Sequence, residues 1–215
     1  MAVSSTTDSK ITQKNRQVIL KAAVQAFAQN GFKGTSLKQI ADDAQLPKTN
    51  VLYYFPSKQE LYLSVLENIL HIWNFRFDQA TVDDDPATVL ADYIAEKMEF
   101  SRTQPFASKV FAMEVLNGAE NFNSAFLTEH RRWMEERVSV MQQWIEEKKV
   151  APLEPEYLLY HIWACTQHYA DFSAQIRGLK GRNMSKKDFK IATNNLVSLI
   201  LTGCGLTVPD AYRSL

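Results

Sequence analysis

Glycine and proline are scarce, seven of each in 215 residues, which argues against a turn-rich β architecture. No segment alternates apolar and polar residues for long enough to read as a strand, and nothing repeats at a fixed period. No apolar run approaches the ~18 residues of a membrane span. The opening MAVSSTTDSK has no apolar stretch of the kind a secretory signal carries. The chain is therefore expected in the cytoplasm. There are two cysteines, Cys165 and Cys204, with no C-x-x-C spacing, and they read as reduced, buried thiols. Formal net charge is zero, so the molecule as a whole does not attract polyanions.

What is present points to helices. Hydrophobic residues make up 46% and charged residues 22% of the chain, enough for a packed core and too apolar for disorder. Charge is unevenly spread. Residues 1–60 hold eight Lys/Arg against four acids, a net of +4, which leaves 16 basic against 20 acidic residues in the rest. A basic front on an acidic body suits an anionic partner at one end.

Apolar residues recurring every three or four positions predict about nine helices and an all-α fold. The first runs from a cap at Thr12 to a stop at Asn30-Gly31. Short helices follow over 35–44, with Thr35 as cap, and 47–55, with Pro47 at the start. Longer ones are expected over 57–80, 86–102, 105–117, 123–149, 155–177 and 186–204. Ser57 and Glu60 form a capping box. The organisation expected is a disordered tail over 1–10, a first unit over 11–56 and a second over 57–215.

The stretch 46–62, LPKTNVLYYFPSKQELY, carries the chemistry. A helix this short has little intrinsic stability, so neighbours must hold it. Val51, Leu52 and Phe55 form its inner face, leaving Lys48, Thr49, Asn50 and Tyr53 outward. Two short helices joined by a tight turn and packed on a longer one form a helix-turn-helix. Asn50 can pair with adenine and Thr49 can meet a thymine methyl in a major groove. Tyr54, Lys58 and the start of the next helix can hold phosphate oxygens. A solvated short helix in an ordinary bundle is the competing reading of the same spacing.

The residues Thr35-Ser-Leu-Lys-Gln-Ile-Ala41 and Tyr54-Phe-Pro-Ser-Lys58-Gln-Glu-Leu61 resemble the signature of the TetR family. The resemblance implies an all-α homodimer with an N-terminal DNA-binding domain and a C-terminal domain for ligand binding and dimerisation. It implies phosphate contacts at Tyr54 and Lys58, a cap at Thr35 that also meets the DNA backbone, and a recognition surface from Lys48 to Tyr53. Two positions depart from the pattern: Gln45 stands where many members have glycine, and Pro47 where many have a serine cap. A narrower likeness joins Thr49–Lys58 with Ile162-Trp-Ala-Cys-Thr-Gln-His-Tyr-Ala-Asp-Phe172. It resembles the RutR-type pyrimidine-utilisation repressors, which implies uracil or thymine as effector.

Trp163 and Gln167 lie one helical turn apart on one face. A flat indole wall beside an amide with one donor and one acceptor suits a planar imide. Trp73 and Phe77 on the fourth helix, with Phe111 and Glu114 on the sixth, can complete such a pocket. Equally, each aromatic can be plain core. His161 and His168 stand two turns apart, too far for one metal ion, and His71 and His130 have no paired ligand. Neither metal nor cofactor is expected. Cys165 and His168 at i, i+3 give the only hint of an enzyme, without an oxyanion hole or a third residue. A multidrug-sensing repressor with a less polar pocket is the other alternative. Dimerisation is expected through 155–177 and 186–204, on Leu158, Leu159, Ile162, Ala170, Leu196, Leu199, Ile200 and Cys204.

Overall fold

A computed structural model describes the backbone of residues 4–213 and the side chains from Thr12 onward. Within those residues the chain is all-α, with ten α-helices and a final 3-10 turn at Asp210–Tyr212. The helices are α1 (Ser4–Gly34), α2 (Leu37–Asp43), α3 (Lys48–Tyr54), α4 (Lys58–Asp78), α5 (Pro86–Thr103), α6 (Pro105–Leu116), α7 (Ser124–Glu146), α8 (Pro155–Asp171), α9 (Ser173–Lys180) and α10 (Lys186–Gly203).

Three boundaries differ from expectation. Helical backbone begins at Ser4, so Thr12 lies inside α1 rather than capping it. Of the tail expected over 1–10, residues 4–10 are helical and 1–3 lie outside the described residues. At the other end of the chain, the helix expected over 155–177 is two helices. Phe172 leaves helical geometry at φ −105 and ψ 21 and separates α8 from α9. The stop expected at Asn30-Gly31 is present as a left-handed break: Gly31 has φ 69, the region glycine enters without a Cβ clash.

The chain divides into two compact units. The first takes residues up to Ile69 together with Lys109–Phe122, and the second takes Leu70–Ser108 with Asn123 onward. The division expected from the sequence lies at residue 57, while the compact units part within α4, after Ile69. Leu61, Tyr62, Val65 and Leu66 of α4 are buried in the first unit. That unit closes over Ile19, Ala23, Phe27, Ile40, Val51 and Phe55, all nearly inaccessible to solvent. Burying side chains of this size is worth about 1.5–3 kcal/mol each. This is how a seven-residue α3 is held without much helix propensity of its own.

In the second unit α5 is central, packed against α8 and α10. Its inner stripe is Leu90, Ala91, Ile94, Met98 and Ser101, the 3–4 spacing of a helix buried along one side. The end of α4 is tied down by Arg137, whose guanidinium donates to the Phe77 and Ala80 carbonyls at 2.8 and 3.0 Å.

The surplus apolar surface expected on α8 and α10 is used differently. Leu159, Ile162, Leu196 and Cys204 are buried in the unit's own core, with Leu158 and Ile200 packed against it, and Ala170 is buried as well. Of the expected set only Leu199 stays exposed, at 69%. Tyr157 and Tyr160 of α8 and Ile191 of α10 are the other large apolar side chains exposed on those two helices. No helix of the described residues is long and apolar enough to cross a membrane.

Candidate nucleic-acid interface and ligand-binding residues

The turn between α2 and α3 is tight because Gln45 adopts φ 55. A non-glycine residue there costs about 1–2 kcal/mol, and the Leu46 N–H donating to the Ala41 carbonyl at 3.0 Å helps hold it. Pro47 then starts α3 without a side-chain cap. Val51 is buried completely, while Lys48, Thr49, Leu52 and Tyr53 are exposed and Asn50 is half-buried. Tyr53 is the extreme, 79% exposed, which is unusual for a large aromatic that has no surface to meet. Leu52, expected inward, is exposed at the edge.

Tyr54 and Lys58 are more engaged than a free phosphate contact requires. The Tyr54 hydroxyl accepts from Asn15 Nδ2 at 3.3 Å, and its ring meets Tyr53 edge-on. Lys58 Nζ donates to the carbonyls of Phe32 and Thr35, both at 2.9 Å, and lies 4.5 Å from the centre of the Phe32 ring. Two of its three N–H groups therefore close the junction between α1 and α2. Arg16, whose guanidinium lies 4.6 Å from the Phe55 ring centre, braces the end of α3.

Thr35 needs correction. The α2 cap is Ser36, whose hydroxyl accepts from the Gln39 N–H at 3.1 Å. Thr35 is buried, and its hydroxyl donates to the Gly31 and Ala26 carbonyls at 2.8 and 3.1 Å. The Gly31 break leaves α1 carbonyls without helical partners, and Thr35 fills that deficit. It is only 3% exposed.

The expected ligand residues separate into two groups. Phe111 and Glu114 belong to the first unit and are engaged there. Phe111 packs on Phe122 at 5.9 Å. Glu114 accepts from the Tyr62 hydroxyl at 3.0 Å and from the Asn121 backbone and side-chain N–H groups at 2.8 and 2.9 Å. These bonds leave Glu114 a structural tie for the Asn121 loop. It lines a cavity of about 290 Å³ with Phe27, Phe32 and Met113. Burial and the Glu114 carboxylate together push the Tyr62 hydroxyl well above the usual phenol range.

Trp73, Phe77, Trp163 and Gln167 all fall in the second unit, and two residues of α5 connect the first three. Tyr93 stacks on Phe77 at 4.8 Å and accepts from Trp163 Nε1 at 2.8 Å. Lys97 holds its Nζ 4.5 Å from the Trp73 ring centre and 5.5 Å from that of Tyr93. On α7, His130 packs beside Trp133 and Trp163, and the three ring centres lie 6.2 Å from one another. Gln167, one turn beyond Trp163, is half-buried, and its amide has no hydrogen-bond partner among the described residues. A half-buried amide with spare donor and acceptor is what a bound polar ring can satisfy. Burial lowers the Lys97 ammonium to about 7, with Glu96 opposing the shift. His130 is also lowered, by burial and then by Lys97.

Sequence reading missed Tyr93, Lys97 and His130 in this cluster. One signal was available. Lys97 falls on the Leu90, Ile94, Ser101 side of α5, where a charge has no reason to be unless something meets it.

Two family models match successive parts of the chain. The family model described as bacterial regulatory proteins of the tetR family matches residues 19–65. The model described as YcdC-like protein, C-terminal region, matches residues 66–207. The HTH-type transcriptional regulator RutR of Escherichia coli K12 is 38% identical over 196 residues, 91% of this chain and 92% of RutR. The HTH-type transcriptional repressor NicS of Pseudomonas putida is 33% identical over 105 residues, 48% of this chain and 50% of NicS. Among solved structures, SCO4942 from Streptomyces coelicolor superposes with a TM-score of 0.68 at 20% identity, covering 88% of this chain and 97% of that one. AibR in complex with isovaleryl coenzyme A and operator DNA gives 0.62 at 13% identity, covering 86% and 97%. Both share the fold. The relatives are regulators rather than enzymes, and with both halves of the chain matched, this protein belongs to the TetR family of bacterial transcriptional regulators.

Proposed function

We propose that this regulator is a cytoplasmic homodimeric repressor that leaves a pseudo-palindromic operator when it binds a small planar pyrimidine, uracil or thymine. The observation that carries the reading is Gln167, a half-buried amide without a partner among the described residues, one turn from the Trp163 indole. Its edge can pair with the C=O and N–H of an imide while an indole covers the ring face. The match to RutR, 38% identical over 196 residues, reaches into the C-terminal region where effector binding is expected, which supports this reading.

On the DNA side, Lys48, Thr49, Asn50 and Tyr53 read base edges, and Tyr54 contacts a phosphate. Two copies related by a two-fold axis would present α3 to successive major-groove faces. Trp73 supplies the link between ligand and DNA, because it belongs to the same helix as Lys58, α4. A ligand that favours one setting of α4 over another shifts operator affinity by that difference in free energy and no more.

Calorimetry with uracil on the wild type and on Gln167→Leu, run beside an operator-release assay, tests this. Leu keeps the size and removes both polar atoms, so affinity should fall steeply in the variant. No heat with the wild type, or equal affinity in Gln167→Leu, removes the pyrimidine reading. Saturable binding of lipophilic cations in place of uracil would instead favour a multidrug-sensing repressor.

A further inference from the structure

The second unit contains a buried cation that nothing among the described residues neutralises. Lys97 is 4% exposed, yet it makes no hydrogen bond and no ion pair among those residues. Its Nζ lies against the faces of Trp73 and Tyr93. Cation–π contact offsets part of the desolvation cost, but an ammonium has three N–H donors and the rings satisfy none of them in line. Such groups are rare in a packed interior unless a partner arrives from outside.

The surroundings say what partner fits. Trp73, Tyr93, His130 and Trp163 offer flat apolar faces, and Tyr93 commits its hydroxyl to the Trp163 indole. The cluster therefore holds a cationic donor in Lys97, the free amide of Gln167 follows one turn after Trp163 on α8, and no acid among the described residues pairs with Lys97. Glu96 is the neighbouring carboxylate on α5, and it acts on Lys97 only at a distance. From α4, Arg76 bears on Glu96 and Asp78 bears on Tyr93. From α7, His130 feels Lys97 as a like charge and stays neutral more readily for it.

We propose that Lys97 is a specificity-determining residue that donates to an oxygen on the ring of the effector, so that the protein selects oxo- or carboxy-substituted planar heterocycles and takes up a proton as it binds them. This rests on the pyrimidine reading for its first choice of ligand and adds the group that recognises the ring oxygen. The proton follows from the chemistry. Burial, opposed only in part by Glu96, brings the Lys97 ammonium down to about 7, so near neutral pH part of the free protein carries a neutral amine. An acceptor oxygen within hydrogen-bond reach favours the ammonium again, and the site fills its proton from solvent. Affinity should therefore be highest below about pH 7 and fall as pH rises beyond it.

The test is isothermal calorimetry with uracil, orotate and unsubstituted pyrimidine, between about pH 6 and about pH 8.5, in buffers of different ionisation enthalpy. Wild type and Lys97→Met are compared. Met keeps the length and cannot donate. Because it removes an unpaired buried charge, Lys97→Met should melt no lower than wild type, so loss of binding cannot be put down to unfolding. The expected result is uracil binding with up to about one proton taken up above neutral pH. In Lys97→Met, affinity should fall roughly 10- to 100-fold and the buffer dependence should vanish. Pyrimidine, which has no ring oxygen, should bind both proteins equally weakly.

If uracil binds Lys97→Met as tightly as wild type while Gln167→Leu loses it, the pyrimidine reading stands and the role of Lys97 is overturned. If uracil does not bind wild type but orotate does and needs Lys97, the pyrimidine-dione reading falls and the Lys97 role stands. If neither ligand binds wild type, or either binds without proton uptake, the Lys97 proposal is overturned.

Discussion

Lys58 Nζ donates to the Thr35 carbonyl at 2.9 Å, and the same ammonium holds the Phe32 carbonyl at 2.9 Å. These bonds join the start of α4 to the junction of α1 and α2. Charge-assisted hydrogen bonds of this kind contribute about 1.5–3 kcal/mol. Lys58→Ala should therefore lower the unfolding free energy by about 1–3 kcal/mol in urea. It should weaken operator binding without changing the salt dependence, because the ammonium is already committed. A log–log slope that drops by about one per DNA-binding head would restore Lys58 as a phosphate contact.

Asn50 and Tyr53 are placed differently. Tyr53 is 79% exposed and its ring meets that of Tyr54 edge-on, so its removal should hardly touch the fold. Asn50→Ala and Tyr53→Ala should each relax the preference at particular base pairs, where a bidentate pairing with a base is worth about 1–3 kcal/mol. Selection of operators from a randomised pool reads this directly. An unchanged consensus for both variants would take the base-reading role away from α3.

The Gln45 backbone at φ 55 sits where glycine rests without strain. Gln45→Gly should relieve steric strain, although the freer unfolded chain opposes part of that gain. A net stabilisation of a few tenths to about 1 kcal/mol is expected, seen as a rise in melting temperature. A fall would mean that the Gln45 side chain contributes more than the strain costs.

Dimerisation should depend on side chains that the protomer's own core leaves exposed. Leu199, Ile191, Tyr157 and Tyr160 are such residues on α8 and α10. Leu199→Asp should give a folded monomer by light scattering at micromolar concentration. Ile162→Asp should instead unfold the protein, since Ile162 is fully buried and a buried unpaired charge is severely destabilising. A Leu199→Asp protein that remains dimeric would move the interface off these helices.

Much of this molecule is legible in its sequence, because helix formation leaves a local trace. The period of 3.6 is written in the positions of Leu61, Val65, Leu66 and Ile69, and helix stops are written in residues such as Gly31 and Pro105. The helix-turn-helix is readable for the same reason: Lys48–Tyr53 is one continuous stretch with a single fully buried side chain, Val51. The left-handed turn at Gln45 is foreshadowed only by the resemblance, since Gln45 stands where many family members have glycine.

What the tertiary structure alone decided are the pairings between distant segments. Nothing within a few residues of Thr35 says that its hydroxyl will satisfy the Ala26 and Gly31 carbonyls, leaving Ser36 as the cap. Local pattern could not show that Glu114 would commit its carboxylate to Tyr62 and Asn121, or that Leu159 and Leu196 would fill the protomer's own core. Lys97 is the clearest case. A sequence records that a lysine stands on the apolar side of α5, but only the packing of α4 and α5 brings Trp73 and Tyr93 around it and leaves its N–H groups without acceptors among the described residues. Helical periodicity is a property of the chain over one or two turns, whereas the partner of a buried polar group is set by whichever segment folds against it.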